Sequence, residues 1–404
     1  MTDSTSTPAP ADPASPARVN TGGSASPSAV AGSPTISPAQ AVTPGPASPS
    51  AAAGSPGASP GATSPTTTAA PANTGILEAD DNPDNPDNDE DSAVGMPTDF
   101  SDTTSIRSYI FKYREQNGRT YHAFKEGGEY KPYFLPNDEP ENERLDLQHN
   151  LFMITQDNNL FTCPHVREKP PKRVLDAGCG TGIWALDFGD GYPESWVVGI
   201  DISAIQPNMV SPNVEFVIDD LEADWTFVQP FDFIYARFLT GSIKDWPRFF
   251  AQSFRHLNPG GWIEAVDIMN PLRCDDGTLP EDSALLKWNR LLLDATVRLG
   301  APVDSVQRYK QQMIDAGFQN VNQIEYKWPT NTWPKDAKHK EIGSWNHVNI
   351  MSALNALTML SFTQALGWST VEVEVFLVDV RNDLKNKNIH AYWPIWAIYG
   401  QKPE

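Results

Sequence analysis

A glycine-rich loop at residues 176–182 holds the residue types most suited to binding a charged ligand. It reads Asp-Ala-Gly-Cys-Gly-Thr-Gly, directly after an apolar run and directly before a helical pattern. Glycines at such a bend, here Gly178, Gly180 and Gly182, let the chain turn tightly and let a ligand approach the main chain without meeting a Cβ atom. Asp176 favours an ammonium group over a phosphate, because a carboxylate attracts the first and repels the second. The loop therefore predicts a ligand that is cationic at this end.

The loop differs from the fingerprint of nicotinamide and flavin dinucleotide sites. That fingerprint requires a third glycine at position 183, which is Ile183 in this chain. The pyrophosphate of a dinucleotide would also lie against the Asp176 carboxylate, which costs free energy. A dinucleotide hydride carrier is therefore not expected.

Two further acidic positions follow the next two predicted strands. Asp201 is at the end of the first, where a carboxylate can accept hydrogen bonds from two ribose hydroxyls. Asp220 follows the second and can accept from an exocyclic amine. An acid, a glycine loop, a ribose acid and an adenine acid in this order fit an adenosine that carries an amino acid, which is S-adenosylmethionine. A tight turn with solvated acids would explain each feature separately, but not their order.

The elements that must position these acids alternate between strands and helices. Short apolar runs predict strands at residues 174–178, 197–202, 214–218, 231–235, 262–266, 321–326 and 395–399. Helical patterns lie between them at residues 183–188, 246–257, 283–299, 306–316 and 343–366. This alternation predicts a doubly wound, Rossmann-like α/β sheet whose ligand site lies beyond the carboxyl ends of the strands.

Residues 1–99 differ in composition from the rest of the chain. They contain no Phe, Trp or Tyr, and residues 1–75 consist mostly of Ala, Ser, Thr, Pro and Gly with repeated Ser-Pro steps. Such a segment cannot bury enough apolar surface to offset the entropy of ordering, so we expect a disordered tail. The Ser-Pro steps are either phosphorylation sites or part of a solvated spacer. A cap or lid segment is expected at residues 100–170, and the main domain at 171–404 with a helical insertion at about 329–390.

Charge and cysteine content exclude several classes of function. The net charge of −21 is shared about equally between the tail and the remainder, which disfavours direct binding to nucleic acid or to a membrane surface. Three cysteines without paired spacing predict neither a disulfide framework nor a metal site. No long apolar run and no secretory signal pattern is present. An intracellular protein of the cytoplasm or nucleus is expected.

From about residue 105 to 402 the sequence resembles the class I S-adenosylmethionine-dependent methyltransferases, and more narrowly the fungal LaeA-like methyltransferases. The resemblance excludes the tail. It rests on the loop described above and on segments at residues 118–124, 135–139, 144–149, 180–185, 205–207, 241–243, 245–247, 257–264 and 388–392.

The resemblance implies a seven-stranded sheet whose last strand is antiparallel, with a helical cap. It implies a cofactor site made by Tyr121, Asp176, Gly178, Gly180, Gly182, Asp201, Ile202, Asp220 and Leu221. The segment with Tyr121 and His122 would fold over the cofactor. Two functions are found in the family: methylation of a small molecule within secondary metabolism, and regulation of secondary-metabolite gene clusters from the nucleus with velvet-type protein partners.

Methyl transfer from a sulfonium asks little of a protein beyond aligning the nucleophile, excluding water and, where needed, removing a proton. Four histidines are candidate bases, or else buried structural residues: His122, His149, His347 and His390. Arg237, just past the fourth predicted strand, either meets the substrate or forms a structural ion pair.

The acceptor is the least constrained part of the prediction. The Trp-rich stretch at residues 328–368 either walls an apolar acceptor pocket or forms the core of a helical cap. Ala-Arg-Phe-Leu at residues 236–239 replaces the Asn-Pro-Pro-Tyr type of tetrad, so methylation of a nucleobase or amide nitrogen by that route is not supported. A small-molecule hydroxyl, acid or amine is the expected acceptor.

Overall fold

The computed structural model describes residues 75–80, 113–122 and 134–404. Most of the predicted tail, and residues 100–112 and 123–133 of the expected cap or lid segment, lie outside these residues. Within them the strands are β1 (Arg114–Gln116), β2 (Arg119–Tyr121), β3 (Arg173–Ala177), β4 (Trp196–Asp201), β5 (Val214–Ile218), β6 (Phe231–Arg237), β7 (Leu257–Ile268), β8 (Arg273–Cys274), β9 (Gln319–Pro329) and β10 (Ala391–Gln401). The helices are α1 (Glu139–Thr155), α2 (Pro164–Glu168), α3 (Ile183–Gly191), α4 (Trp246–His256), α5 (Ala284–Leu299), α6 (Val306–Asp315), α7 (Ala337–Ser361) and α8 (Thr370–Lys385), with a π-helical turn at Phe362–Leu366 after α7.

The main sheet confirms the predicted α/β architecture. Its long strands lie in the order β5, β4, β3, β6, β7, β10 and β9, and the two-residue strand β8 also pairs with β10. Strands β3 to β7 pair in parallel, whereas β10 is antiparallel to both β7 and β9. The strand order reverses at β3, where the chain returns from β5 to add β6 on the other side. Ligands bind at such a reversal, beyond the carboxyl ends of the strands.

Strand β3 shows why these segments form a sheet buried on both faces. Its side chains at Val174 and Leu175 are both inaccessible to solvent and point to opposite faces. Leu175 packs in a core with α4 and α6, and Val174 packs in a second core with α1 and α3. A third core joins α5, α7 and α8 on one side of the molecule. The acids at the strand ends are thus held by apolar packing on both faces of the sheet.

The sequence analysis did not predict the hairpin of β1 and β2, the short elements α2 and β8, or the helices α1 and α8. The hairpin of β1 and β2 turns at Asn117 and Gly118, which both have positive φ angles, as a two-residue hairpin of this type requires. Helix α1 begins at Asp138, whose side chain accepts from the Glu141 amide. Helix α8 begins with a capping box of Ser369 and Glu372. The helix predicted at residue 343 begins earlier, at Ala337.

Candidate functional site

The glycine loop between β3 and α3 needs its glycines for different reasons. Gly178, Gly180 and Gly182 all have positive φ angles, which L side chains rarely adopt. A Cβ atom at Gly178 would also overlap with the side chain of Leu239, and one at Gly182 with that of Phe216. At Gly180 the nearest neighbour of a Cβ atom would be Leu145, at 3.5 Å. Packing therefore requires Gly178 and Gly182, whereas a Cβ atom at Gly180 would only reach van der Waals contact with Leu145.

Asp176 is a buried carboxyl group without a complete set of partners. Its side chain lies at the carboxyl end of β3, the residue is 3% exposed, and the Oδ2 atom has no hydrogen-bond partner among the described residues. Burial raises the pKa of Asp176 to about 7; the nearby Asp201 carboxylate adds to the rise, and the Arg237 guanidinium opposes it. A cationic hydrogen-bond donor at this point would satisfy both the orphaned oxygen and the buried charge.

Asp201 at the end of β4 is tied to the loop by backbone hydrogen bonds. Its Oδ2 atom accepts from the Gly180 amide at 2.9 Å, and Oδ1 accepts from the Ser203 amide at 2.9 Å. Burial raises the pKa of Asp201, and these hydrogen bonds act in the opposite direction. Each carboxylate oxygen can accept more than one hydrogen bond, so both remain able to bind a ligand hydroxyl.

Two adjoining cavities open beside these acids. The larger, of about 200 Å³, reaches from Asp176, Gly178 and Gly180 to an apolar end between α5 and α7. The smaller, of about 70 Å³, is lined by Asp201, Ile202, Asp219, Asp220 and Leu221 among others. Gly178, Asp201 and Leu239 line both. Of the residues predicted to hold the cofactor, all but Tyr121 and Gly182 line one cavity or both.

Tyr121 and the candidate histidines lie away from the cavity walls. Tyr121 is 1% exposed and packs with Phe134 and Leu360. Burial lowers the pKa of His122 to about 4, helped by Arg114 and opposed by Asp220. The ring of His347 lies 3.1 Å from the Thr330 carbonyl oxygen, and that of His390 pairs with Asp276. Neither these three histidines nor His149 line the two cavities.

Arg237 at the end of β6 does line the larger cavity. It lies 3.2 Å from Nδ1 of His149 and stacks over the ring of Phe152. Nε2 of His149 lies 2.9 Å from the Asp187 carboxylate. Burial, reinforced by Arg237, lowers the pKa of His149 to about 4, so the neutral ring can donate to Asp187 and accept from Arg237. His149 therefore orients Arg237 toward the cavity.

Comparisons with known proteins place this arrangement in a family. A family model described as a methyltransferase domain matches residues 148–323. Methyltransferase pytC of Aspergillus terreus is 39% identical over 312 residues, covering 77% of this chain and 94% of that protein. Secondary metabolism regulator LAE1 of Cochliobolus heterostrophus is 39% identical over 72% of this chain and 94% of its own length. The chain belongs to the LaeA-like methyltransferases. Protein-methionine methyltransferase laeA of Emericella nidulans is 34% identical over 72% of this chain and 77% of its own length.

A polar network that the sequence analysis missed crosses the cavity wall of this LaeA-like chain. Nη2 of Arg144 on α1 donates to the Glu141 carboxylate at 2.7 Å, and Nη1 donates to Oδ1 of Asn349 on α7 at 2.7 Å. Asn346 lies one turn away on α7 and donates to the Pro329 carbonyl oxygen at 2.8 Å. The network joins the N-terminal cap to the helical insertion across the cavity.

The tryptophans of the 328–368 stretch divide between the two roles proposed for them. Trp328 lines the cavity, together with Trp288 and Trp393 from outside the stretch. Trp368 instead packs against Phe362 and belongs to the core of the helical insertion. The stretch therefore contributes both to a wall and to a cap.

The described residues contain neither a cluster suited to a metal ion nor a helix suited to cross a membrane. Among residues 75–80, 113–122 and 134–404, no group of three His, Cys, Asp or Glu side chains is arranged to hold a metal ion. In the same ranges, every helix is too short or too polar to cross a bilayer.

Proposed function

We propose that this protein is an S-adenosylmethionine-dependent methyltransferase that methylates a small, largely apolar molecule in fungal secondary metabolism. The observation that carries the proposal is the orphaned Oδ2 atom of Asp176, which faces a cavity that begins at the glycine loop and ends in apolar walls. The relatives support the setting, because pytC and LAE1 are fungal proteins named for methyl transfer and for secondary metabolism.

The residues at the carboxyl ends of β3 and β4 fit this cofactor. The ammonium group of the methionine part would supply the missing donor and positive charge to Asp176. The missing side chain at Gly180 would let the ligand approach the backbone. Asp201 would accept from the ribose hydroxyls, and the smaller cavity with Asp220 and Leu221 would hold the adenine. The bound cofactor supplies a methyl group that is already activated by its sulfonium.

The residues of this chain then have three tasks: to orient the acceptor, to exclude water and to handle any proton. Trp288, Trp328 and Trp393 form apolar walls suited to an aromatic or aliphatic acceptor. Arg237 supplies a cation at the wall that could hold an acidic group of the acceptor. Of the cavity-lining acids, Glu141 is already paired with Arg144.

This arrangement favours an acceptor atom that needs no protein base. Among the described residues, no histidine lines either cavity, and burial keeps both His122 and His149 neutral with pKa values of about 4. A carboxylate or an amine is nucleophilic without such help once its lone pair is free, whereas an alcohol generally requires a base. We therefore place a carboxylate or amine ahead of a hydroxyl acceptor.

A second candidate is methylation of a protein by a nuclear regulator that works with velvet-type partners. It is supported by the similarity to laeA, which is named as a protein-methionine methyltransferase. A thioether carries no proton to remove, so the absence of a histidine from the described walls fits this acceptor too.

One experiment separates the two candidates. Purified full-length protein is incubated with methyl-labelled cofactor and extract from a strain that lacks the gene, and the products are split into small molecules and protein. Label in the small-molecule fraction supports the first function, and label in protein supports the second. Gly180→Val protein is the control, because its added side chain occupies the space left for the ligand. Transfer by this variant at the normal rate contradicts the proposed site.

A further inference from the structure

A short piece of the N-terminal segment lies against the folded domain as an added strand. The Asp80 amide donates to the Trp333 carbonyl oxygen at 2.8 Å, and the Lys335 amide donates to the Glu78 carbonyl oxygen at 2.7 Å. These bonds flank an antiparallel bridge between Ala79 and Pro334. Addition of an extended peptide to exposed backbone groups is a recurring mode of peptide recognition.

The side chains of this segment alternate as the strand geometry demands. Leu77 points inward and is 9% exposed, in a cluster with Trp333 and Tyr392, and Ala79 packs against the same cluster. Ile76 points outward and is 75% exposed. The ring of Trp333 is held in its orientation by a hydrogen bond, which its indole nitrogen donates to the Ala391 carbonyl oxygen at 2.9 Å. The cluster therefore favours an apolar side chain at position 77.

Lysines hold the two ends of the segment. Nζ of Lys327 donates to the Gly75 carbonyl oxygen at 3.0 Å and pairs with Asp275. Lys340 pairs with the Asp80 carboxylate. An apolar pocket between two cations fixes the register of a bound strand and favours one that carries an acid near its carboxyl end.

The sequence of the tail fits a site that favours an apolar side chain followed by an acid. Leu77 is the only leucine before residue 135, and it stands at the point where the Ala, Ser and Pro-rich stretch gives way to the acidic run that starts at Glu78. A leucine in this position is unexpected in a simple spacer.

The docked segment contacts the loop that starts a wall of the cavity. Residues 330–336 connect β9 to α7, and Asp336 caps α7 by accepting from the His339 amide at 3.0 Å. Asn349 and Ile350 of α7 line the larger cavity, as does Trp393, the neighbour of Tyr392. The outer side of this loop thus binds the tail, and the helix that follows it faces the ligand.

We propose that this surface is a peptide-binding site for an extended apolar and acidic segment, and that residues 75–80 of the same chain are its built-in occupant. The occupied site holds the loop at residues 330–336 and thereby the start of α7. The tail is then anchored beside the helical insertion, and another segment with the same pattern would have to compete with it.

The test compares two adjacent substitutions in the full-length chain. Leu77→Asp places a charge in the apolar pocket, whereas Ile76→Asp places the same charge on the outward side and is the matched control. With selective ¹⁵N-lysine labelling, exchange of the Lys335 amide should become about tenfold faster or more in Leu77→Asp, and stay unchanged in Ile76→Asp. Equal exchange in all three proteins would overturn the proposal.

A binding measurement guards against an indirect effect of the substitution. A fluorescein-labelled peptide of residues 74–81 should bind Leu77→Asp protein and not the wild type, because a tethered segment competes at an effective concentration of the order of millimolar. Adding Trp333→Ala to Leu77→Asp should abolish this binding. Equal binding to the wild type and to Leu77→Asp contradicts an occupied site. A wild-type dimer that Leu77→Asp converts to monomer would overturn the assignment to the same chain, since the segment would then come from a second copy.

Discussion

The Asp201 carboxylate accepts a hydrogen bond from the Gly180 amide at 2.9 Å, so the end of β4 fixes the middle of the glycine loop that follows β3. The same carboxylate accepts from the Ser203 amide. One acid therefore shapes the loop and also faces both cavities. Its loss should affect the binding of the proposed cofactor through the geometry of the loop as well as through direct contact.

Asp201→Ala should weaken binding of S-adenosylmethionine by about 1 to 3 kcal/mol, because two backbone amides and the ligand hydroxyls lose their acceptor. Isothermal titration calorimetry measures the change directly. Asp282→Ala, at an exposed position, is the control and should leave affinity unchanged. Normal affinity in Asp201→Ala would remove Asp201 from the site.

Alanine at Gly178 and at Gly180 should give different results. Gly178→Ala forces a Cβ atom into Leu239 and should lower both the melting temperature and the affinity for the cofactor. Gly180→Ala adds only the cost of a positive φ angle, about 1 kcal/mol, and should fold while binding more weakly. Thermal melts and titrations of both variants check this. A Gly180→Ala protein with wild-type affinity would mean that the loop is a turn and no more.

Asp176→Asn should stabilise the protein at high pH and should weaken its binding of the cofactor. Burial raises the pKa of Asp176 to about 7 from about 3.9 in an unfolded chain, so its contribution to stability is fully present below about pH 4 and is lost progressively as the pH rises from there to about 7. Asparagine carries no charge and escapes this loss. The gain at pH 8 should be at most about 4 kcal/mol, from 1.36 kcal/mol per pKa unit; it should shrink to about 1.5 kcal/mol at pH 5 and vanish only below about pH 4.

Urea unfolding at pH 5 and pH 8 measures the pH dependence of this difference. Glu264 and Asp267, also buried with pKa values raised to about 7, remain in both proteins and do not obscure it. Because a cation favours the ionised form of Asp176, binding of the cofactor to the wild type should also release protons near pH 7. A stability difference that is the same at both pH values contradicts an unpaired charge at Asp176.

The seven long strands of the main sheet could be predicted from the sequence because each contains a short run of apolar or alternating apolar residues. Helix α8 could not, for a physical reason. Val371, Val373 and Val375 alternate with acids, a pattern typical of a strand. The capping box at Ser369 and the apolar row from Val373 to Leu384 stabilise a helix instead. Tertiary packing decides which pattern prevails.

The candidate site, too, could be predicted only where it depends on local sequence. The acids at the ends of β3 and β4 belong to a local motif and could be found from spacing alone. The contact between Arg144 and Asn349 joins residues 205 positions apart, and no local pattern connects them. Helix α1 was missed because its buried face is partly polar, with Glu141, Arg144 and Gln148 turned toward the cavity rather than toward an apolar core.

Replacing one partner of the buried Glu141 and Arg144 ion pair should destabilise the fold. Both residues are less than a tenth exposed, so Arg144→Met leaves a buried carboxylate without its cation and should destabilise the fold by about 3 to 5 kcal/mol. The double variant Glu141→Gln with Arg144→Met leaves no isolated charge and should recover much of that loss. Urea unfolding of the wild type, the two single variants and the double variant gives the coupling energy of the pair. Strictly additive effects would mean that the two charges do not interact.

Two substitutions at Tyr121 separate a packing role from a role in binding the cofactor. Tyr121 is 1% exposed beside Phe134 and Leu360, so Tyr121→Ala leaves a cavity and should cost about 3 to 5 kcal/mol. The Tyr121 hydroxyl is buried and has no hydrogen-bond partner among the described residues. Tyr121→Phe removes only this hydroxyl and should leave the melting temperature unchanged or slightly higher.

Binding of the cofactor to Tyr121→Phe then reports what the hydroxyl does. Tyr121 lines neither cavity, so its hydroxyl can reach the cofactor only if this segment folds over it as the resemblance implies. In that case the affinity of Tyr121→Phe should fall several-fold. Hydrogen exchange at residues 115–122 should slow when the cofactor is added. Unchanged affinity in Tyr121→Phe, with protection that is already high in the absence of cofactor, would assign Tyr121 to the core alone. A lower affinity at an unchanged melting temperature would assign Tyr121 a role in binding the cofactor, since Tyr121→Phe keeps the buried ring and removes only the hydroxyl.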